Sequence, residues 1–228
     1  MSRLIATAFV SLDGVMQAPG GPEEDPVGGF EYGGWTVPYW DDVIGSVMGE
    51  VFSSPFALVL GRKTYDIFAA HWPCVEVDRS ASTFDEVNAQ AAQTFNEATK
   101  YVATHAPETL SWQNSESLGA DVPARIRELK KQNGQTLLVQ GSSELLQTLL
   151  AHDLVDEIRL LIYPVVFGKG KRFFGSGAIP GAFKLTSSTS APSGVLIASY
   201  ERAGEVRTGS FALDYPTPEE IERRKHLK

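Results

Sequence analysis

The chain reads as an α/β protein in three layers, with a mainly parallel sheet between helices and a closing antiparallel hairpin. Three observations carry this expectation. The apolar runs Phe56-Ala57-Leu58-Val59-Leu60 and Leu137-Leu138-Val139 show no polar alternation, the pattern of strands buried on both faces. Each run then stops at a glycine, meets polar residues and turns into a helical pattern. Near the end, residues 183–189 and 194–202 are strand-like and separated by the turn sequence Ala191-Pro192-Ser193-Gly194.

Composition narrows the function classes. At 228 residues the chain can bury a substantial core as one large domain or two small ones. A net charge of −8 argues against a surface built to neutralise nucleic-acid phosphate, so an anionic ligand needs a local basic pocket. Cys74 is the only cysteine, which excludes an internal disulfide and a cysteine-based metal site, and the four histidines show no metal-ligand spacing. The first apolar run is too short for a signal segment, and no stretch approaches the roughly 20 apolar residues of a membrane span. A soluble, cytoplasmic protein is expected, with a small-molecule partner and neither membrane nor nucleic acid. No internal repeat or inter-domain linker is evident. Residues 1–205 are expected to form one domain, and residues 206–228 a polar tail.

In chain order, residues 4–10 form the first strand, with small side chains at Ala6 and Ala8 that suit either a flat ring lying close or tight strand packing. Ser11-Leu12-Asp13-Gly14 is a turn; Asp13 can accept from a ligand or close an Asx-turn. Residues 17–35 carry three Gly-Gly pairs among acids, and a loop of that length is either functional, here a lid over a site, or disordered. A helix over residues 41–52 follows. Asp41 and Asp42 suit its first turn electrostatically, and one of them is alternatively a proton source beside a nitrogen heterocycle, with Trp35, Tyr39 and Trp40 as walls.

The run at residues 56–60 ends in Gly61-Arg62-Lys63-Thr64-Tyr65. Such a junction presents backbone N–H groups, a helix start and a cation at the carboxyl edge of a sheet, where open α/β sheets bind anionic cofactors. It equally suits a plain strand-to-helix turn, and it is not a P-loop, because one of the two glycines is missing. Residues 64–70 are expected to be helical. His71-Trp72-Pro73-Cys74 lacks the second cysteine and the upstream His-x-Glu of a zinc deaminase. Residues 85–99 are alanine-rich and helical in spacing, and residues 100–104 form a short strand ending at Thr104-His105. Residues 121–132 form an amphipathic helix stopped by Asn133-Gly134.

The strand at residues 136–140 ends in Gly141-Ser142-Ser143 and a second helix start. This is a second phosphate seat, or else an ordinary cap in which Ser142 or Ser143 satisfies its own helix. Residues 155–163 form a strand ending at Pro164. The basic loop Lys169-Gly170-Lys171-Arg172 after it lacks the G-x-G-x-x-G dinucleotide fingerprint. Thr217-Pro218-Glu219-Glu220 fits a capping box opening a terminal helix.

Taken in order, Ser11-Leu12-Asp13-Gly14, Gly61-Arg62-Lys63-Thr64-Tyr65, Gly141-Ser142-Ser143 and Tyr163-Pro164-Val165-Val166-Phe167-Gly168 resemble the dihydrofolate reductase-like superfamily. The nearer likeness is to the branch of the reductase domain of the bifunctional riboflavin-biosynthesis deaminase-reductase, and it spans residues 2–203. The resemblance implies a dihydrofolate reductase-like mixed sheet, frequently a homodimer, and an NADPH-dependent oxidoreductase. Such enzymes pass a hydride to a small nitrogen heterocycle or carbonyl, of pyrimidine ribitol-precursor or pterin type. By position, Gly61, Arg62, Lys63 and Thr64 would hold the cofactor phosphates. Arg62 with Thr104 and His105 would lie nearest the adenosine 2′-phosphate, Gly141, Ser142 and Ser143 would receive the pyrophosphate, and the segment from Ala6 to Ala8 would flank the nicotinamide. Asp41, and second Asp13, are the expected proton sources; Trp35, Trp40 and Tyr163 fall on the substrate side. A non-catalytic NADPH- or nucleotide-binding module and a flavin-type reductase are the alternatives.

Overall fold

The doubly buried apolar runs do form the centre of one eight-stranded sheet. The computed structural model describes every residue except Asn133, Ser176, Gly177, Leu213 and Lys228. The strands are β1 (Leu4–Ser11), β2 (Phe56–Gly61), β3 (Lys100–Ala103), β4 (Ser115–Ser117), β5 (Thr136–Gln140), β6 (Glu157–Tyr163), β7 (Phe183–Ser190) and β8 (Leu196–Arg202). They lie side by side in the order β4-β3-β2-β5-β1-β6-β8-β7. Every pairing from β4 to β6 is parallel, while β6–β8 and β8–β7 are antiparallel, so the expected hairpin closes one edge.

Among the described residues, six α-helices surround the sheet or follow it: α1 (Asp42–Ser53), α2 (Arg62–His71), α3 (Glu86–Glu97), α4 (Val122–Lys131), α5 (Ser143–Ala151) and α6 (Pro218–Lys225). Strand alternation sorts the packing. Leu4, Ala6, Ala8 and Val10 of β1, with Ala57, Val59, Leu137 and Val139, meet Ile126 and Leu129 of α4 and the leucines of α5. On the opposite face Ile5, Leu58, Leu60 and Leu138 meet Tyr65 of α2 and Phe95 of α3. Ile44 and Met48 of α1 join Leu161, Tyr163 and Ile197 in a separate cluster on that second face. Between these last two clusters the sheet carries polar residues, Thr7 and Gln140, paired in register. The apolar cover is therefore interrupted over the middle of the sheet.

Element boundaries fall within a residue or two of expectation, the usual uncertainty of helix ends. The helix after β2 starts earlier, at Arg62, because Gly61 is already its N-cap. Strand β4, Ser-Glu-Ser, has no apolar pattern and is not legible in the sequence. The expected stop at Asn133 lies outside the described residues; α4 itself ends at Lys131. Helix α6 opens as the capping box requires, with the Thr217 hydroxyl accepting from the Glu220 N–H at 3.3 Å, and it has no buried residue. Among the described residues no helix is long and apolar enough to cross a membrane.

Candidate active site

The two glycine junctions sit together because β2 and β5 are neighbours in the sheet. Gly141 and Ser142 both adopt left-handed backbone, with φ of 79° and 63°, which turns the chain sharply off β5. That turn sends the Ser142 hydroxyl across to β2, where it accepts from the Gly61 N–H at 2.8 Å. The serine therefore locks the two junctions to each other and does not cap its own helix, contrary to the ordinary-cap reading of this sequence.

Capping separates these two helices from the rest. Helices α1, α3, α4 and α6 each have a first-turn N–H satisfied by the side chain of Asp41, Asp85, Asp121 or Thr217. Among the described residues, helices α2 and α5 have no side-chain cap. A helix start leaves several N–H groups without intrahelical partners, and the helix dipole adds positive potential there. Two such starts, side by side at the carboxyl edge, make an anion seat.

Arg62 lines this seat. Its Nε lies 2.9 and 3.0 Å from the two Asp66 oxygens, and its guanidinium also donates to Thr104 Oγ1, Thr109 Oγ1 and the Ala106 carbonyl. The cation is thus fixed toward the end of β3, beside exposed His105. Lys63 is paired at 3.6 Å with Glu144, and both side chains are largely in solvent, where such a pair contributes little.

A cleft of about 2040 Å³ opens from this edge across the second face, over the interrupted middle of the sheet. Thr7, Ala8 and Gln140 form part of its floor, Trp40, Asp41 and Met48 flank it near α1, and Phe68 and Thr104 lie on the far side. Residues 17–25 of the glycine-rich loop form another part of its rim. Gln17, buried at the base of that loop, organises it. Its Nε2 donates to the carbonyls of Asp25 and Val27 at 2.9 and 2.8 Å, and its Oε1 accepts from the Lys171 N–H at 3.0 Å. Lys171 also forms an ion pair with Asp25, so the basic loop serves as an anchor for residues 17–35.

Twelve residues anticipated from sequence line this one cleft: Ala8, Trp40, Asp41, Gly61, Arg62, Lys63, Thr64, Thr104, His105, Gly141, Ser142 and Ser143. Three lie elsewhere. Asp13 faces the 165–172 loop, accepting from the Ser11 hydroxyl at 2.6 Å and from the Phe167 and Gly168 N–H groups, and pairing with Arg172 at 3.2 Å. Burial alone would raise its pKa, but these donors outweigh burial and bring it down to about 2. Trp35 is buried, with its indole N–H on the Gln17 carbonyl at 2.8 Å and its ring edge-on to Tyr163 at 5.1 Å. Tyr163 is wholly buried; burial, with the nearby Asp41 charge, pushes its phenol pKa up. The two aromatic rings are core, where substrate walls were expected.

Asp41 touches the cleft as the N-cap of α1, accepting from the Ile44 N–H at 3.0 Å and, across the sheet's closing turn, from the Ser193 N–H at 3.1 Å. The Ile44 N–H is the main reason its carboxyl is held below the ordinary range. Both N–H donors favour the ionised form of this carboxylate.

Sequence reasoning passed over Gln140 and Glu24, and reached Thr7 only as part of the segment from Ala6 to Ala8. Thr7 and Gln140 are polar side chains in strands whose centres are mostly apolar on both faces, a signal that was present. Glu24 lies on the cleft rim within the loop. Burial raises its pKa, even though its Oε2 accepts from the Gly20 and Gly21 N–H groups at 2.6 and 3.2 Å.

Comparison with known proteins agrees with this fold. Solved structures share the fold. A Shewanella sp. PV-4 protein ascribed to riboflavin biosynthesis is 18% identical, with a TM-score of 0.56, covering 88% of this chain and 99% of its own. The diaminohydroxyphosphoribosylaminopyrimidine deaminase/5-amino-6-(5-phosphoribosylamino)uracil reductase of Thermotoga maritima is 17% identical with a TM-score of 0.53; the match covers 89% of this chain and 57% of that two-activity chain. Dihydrofolate reductase from Enterococcus faecalis, solved with NADP(H), is 14% identical with a TM-score of 0.51 over 88% of this chain and 96% of that one. The architecture is thus dihydrofolate reductase-like. The model of the RibD C-terminal domain matches residues 2–197, and the chain belongs to that family.

Proposed function

We propose that the protein is an NADPH-dependent reductase acting on a small planar nitrogen heterocycle or carbonyl compound, of pyrimidine ribitol-precursor or pterin type. The observation that carries this reading is the pair of uncapped helix starts, α2 and α5, locked side by side through Ser142 and Gly61 at the head of one long cleft. Membership of the RibD C-terminal domain family and the reductase names of two structural neighbours support it.

The residues present fit the cofactor. The first-turn N–H groups of α2 and α5 suit its phosphates, and Arg62, held toward Thr104, suits a further phosphate on the adenosine side. The floor at Thr7 and Gln140, short of the α1 wall, suits its nicotinamide ring. Bound there, NADPH would supply the hydride. The protein's own part is positioning and exclusion of water: strands fix the floor, Met48 and Trp40 give an apolar flank, and the 17–25 rim narrows the opening. Burial of Glu24 on the cleft rim favours its protonated form.

The test is titration of the purified protein with NADPH and NADH, followed by tryptophan fluorescence through Trp40 on the cleft wall, for the wild type and Arg62→Ala. Saturable binding with clear preference for NADPH is expected. Loss of one charged contact to the additional phosphate should weaken NADPH about tenfold and leave NADH nearly unchanged. Equal weakening of both cofactors would contradict the assignment of Arg62, and binding of neither would contradict the reductase reading itself.

A further inference from the structure

The cleft continues past the exposed middle of the sheet, as an arm between α1, α2 and α3. Pockets for one small molecule usually enclose about 300–1,000 Å³, so a cleft of about 2040 Å³ has room for a second ligand beside a cofactor. The arm's aromatic lining is continuous. The Phe95 ring centroid stands 4.9 Å from that of Phe52, 5.8 Å from Phe68 and 4.7 Å from Trp72, so all three helices contribute. On α1 the lining residues Gly45, Met48, Gly49 and Phe52 recur at helical spacing, and one face of that helix forms a wall. A Cβ at Gly49 would meet nothing within 4 Å, and one at Gly45 only the Trp40 indole nitrogen at 3.8 Å. Packing therefore requires neither glycine, although glycine inside a helix costs about 0.5–1 kcal/mol relative to alanine. Their lack of side chains keeps the wall open.

Charge is divided along the cleft. At its head, the starts of α2 and α5 and the Arg62 guanidinium present positive potential. The arm instead reaches Ser53 and His71, the last residues of α1 and α2, where the same helix dipoles turn negative. Helix α1 has no basic residue in its last turn to offset this. Among the described residues the arm is lined by no lysine or arginine, and exposed His71, edge-on to Trp72 at 4.9 Å, is its one titratable side chain. At the start of α1 the lining turns acidic, with Asp41 and Asp42, while Lys171 on the loop side is already paired with Asp25.

We propose that the substrate carries no phosphate or carboxylate: it is an uncharged planar molecule whose aromatic or alkyl substituent fills this arm. The assignment rests on the reductase reading and narrows its substrate. It sets the protein apart from the Thermotoga maritima neighbour, whose name specifies a phosphoribosyl compound. An anion in the arm would exchange its hydration for aromatic rings and helix carboxyl ends, with no cation to meet it. An uncharged substituent instead gains by burying apolar surface, about 25 cal/mol per Å². The arm thus selects by rejecting charge as well as by attracting apolar area.

The experiment is titration calorimetry on the full chain, alone and saturated with NADP⁺, using two matched pairs of compounds. One pair is 6-phenylpterin and its 4-carboxyphenyl counterpart; the other is 5-amino-6-ribitylaminouracil and its 5′-phosphate. The wild type should bind the uncharged member of each pair about tenfold more tightly or better. Gly49→Lys sets a cation on the open wall and should bring the charged member to within about threefold of its partner. Gly49→Gln, which adds a side chain without the charge, should keep the gap. A wild type that binds the carboxylated or phosphorylated member as well as its partner would overturn the inference and leave the reductase reading standing. So would a wild type that takes NADP⁺ and neither uncharged compound. A gap that Gly49→Lys leaves untouched would overturn the assignment to the arm. Discrimination that Gly49→Lys narrows, in a protein that binds no NADP⁺, would uphold the arm's selectivity and sink the reductase reading.

Discussion

Asp13 and Asp41 show what a carboxylate's neighbours decide. Both follow a strand or open a helix, and both looked available for chemistry in the sequence. In the fold each is consumed by N–H donors from a distant segment, Phe167 and Gly168 for Asp13 and Ser193 for Asp41. Such partners lie more than 150 positions away along the chain, where local pattern has no reach. The junction residues were legible for the opposite reason: a glycine and a hydroxyl directly after a buried strand punctuate the sequence at the place where the two helix starts meet. For Asp13 the depressed pKa has a consequence for stability. Its stabilising effect is complete above the unfolded value of 3.8 and is lost as pH falls through about 2. At neutral pH the ionised group contributes up to about 2 kcal/mol, since one pKa unit is about 1.4 kcal/mol. Asp13→Asn should therefore be less stable than the wild type by about 1–2 kcal/mol at pH 7. Urea unfolding at a series of pH values should show this difference closing between pH 4 and pH 2; a difference independent of pH would mean that the carboxylate charge is not what holds the joint.

At the scale of elements, the central strands and the helices that follow them could be read because burial on both faces and helical period leave strong patterns. The Ser115–Ser117 strand could not, since an edge strand of three polar residues is defined by its neighbour β3 and not by its own composition. The loop at residues 17–35 was legible as a functional or disordered segment, but its internal order was not. That order comes from one side chain, Gln17, which bridges the loop's carbonyls and the Lys171 N–H. Replacing it with leucine would remove three part-buried hydrogen bonds, at a cost of about 2–4 kcal/mol. Gln17→Leu should lower the denaturant midpoint accordingly and speed hydrogen exchange at the Lys171 amide. Unchanged exchange there would mean that the Lys171–Asp25 pair, and not the glutamine, fixes the loop.

For the whole molecule, the sheet's strand order matters most. Inserting β5 between β2 and β1 brings two helix starts, remote in sequence, to one edge, and the break in apolar cover over Thr7 and Gln140 continues that edge into a cleft. Among the described residues, none after β8 lines the cleft. Helix α6 buries nothing, and Phe211 and Tyr215 lie in the open. The short ladder at Ala182, Ala203 and Gly204 closes the sheet before the tail begins. A chain ended at residue 205 should melt within about 2 °C of the full chain, because surface changes away from packed features cost little. A drop of 10 °C or more in calorimetry would mean that the tail packs on the body.

The central claim is that the uncapped starts of α2 and α5 together receive the phosphates of one dinucleotide. Amide chemical-shift mapping by NMR on the labelled protein tests it most directly. Stepwise addition of NADPH should displace the N–H resonances of Arg62, Lys63, Thr64, Ser143 and Glu144 in one saturable process. The first turns of α3 and α4, already capped by Asp85 and Asp121, should stay still. NADPH binding that left both uncapped starts unmoved, or moved only one of them, would contradict the account.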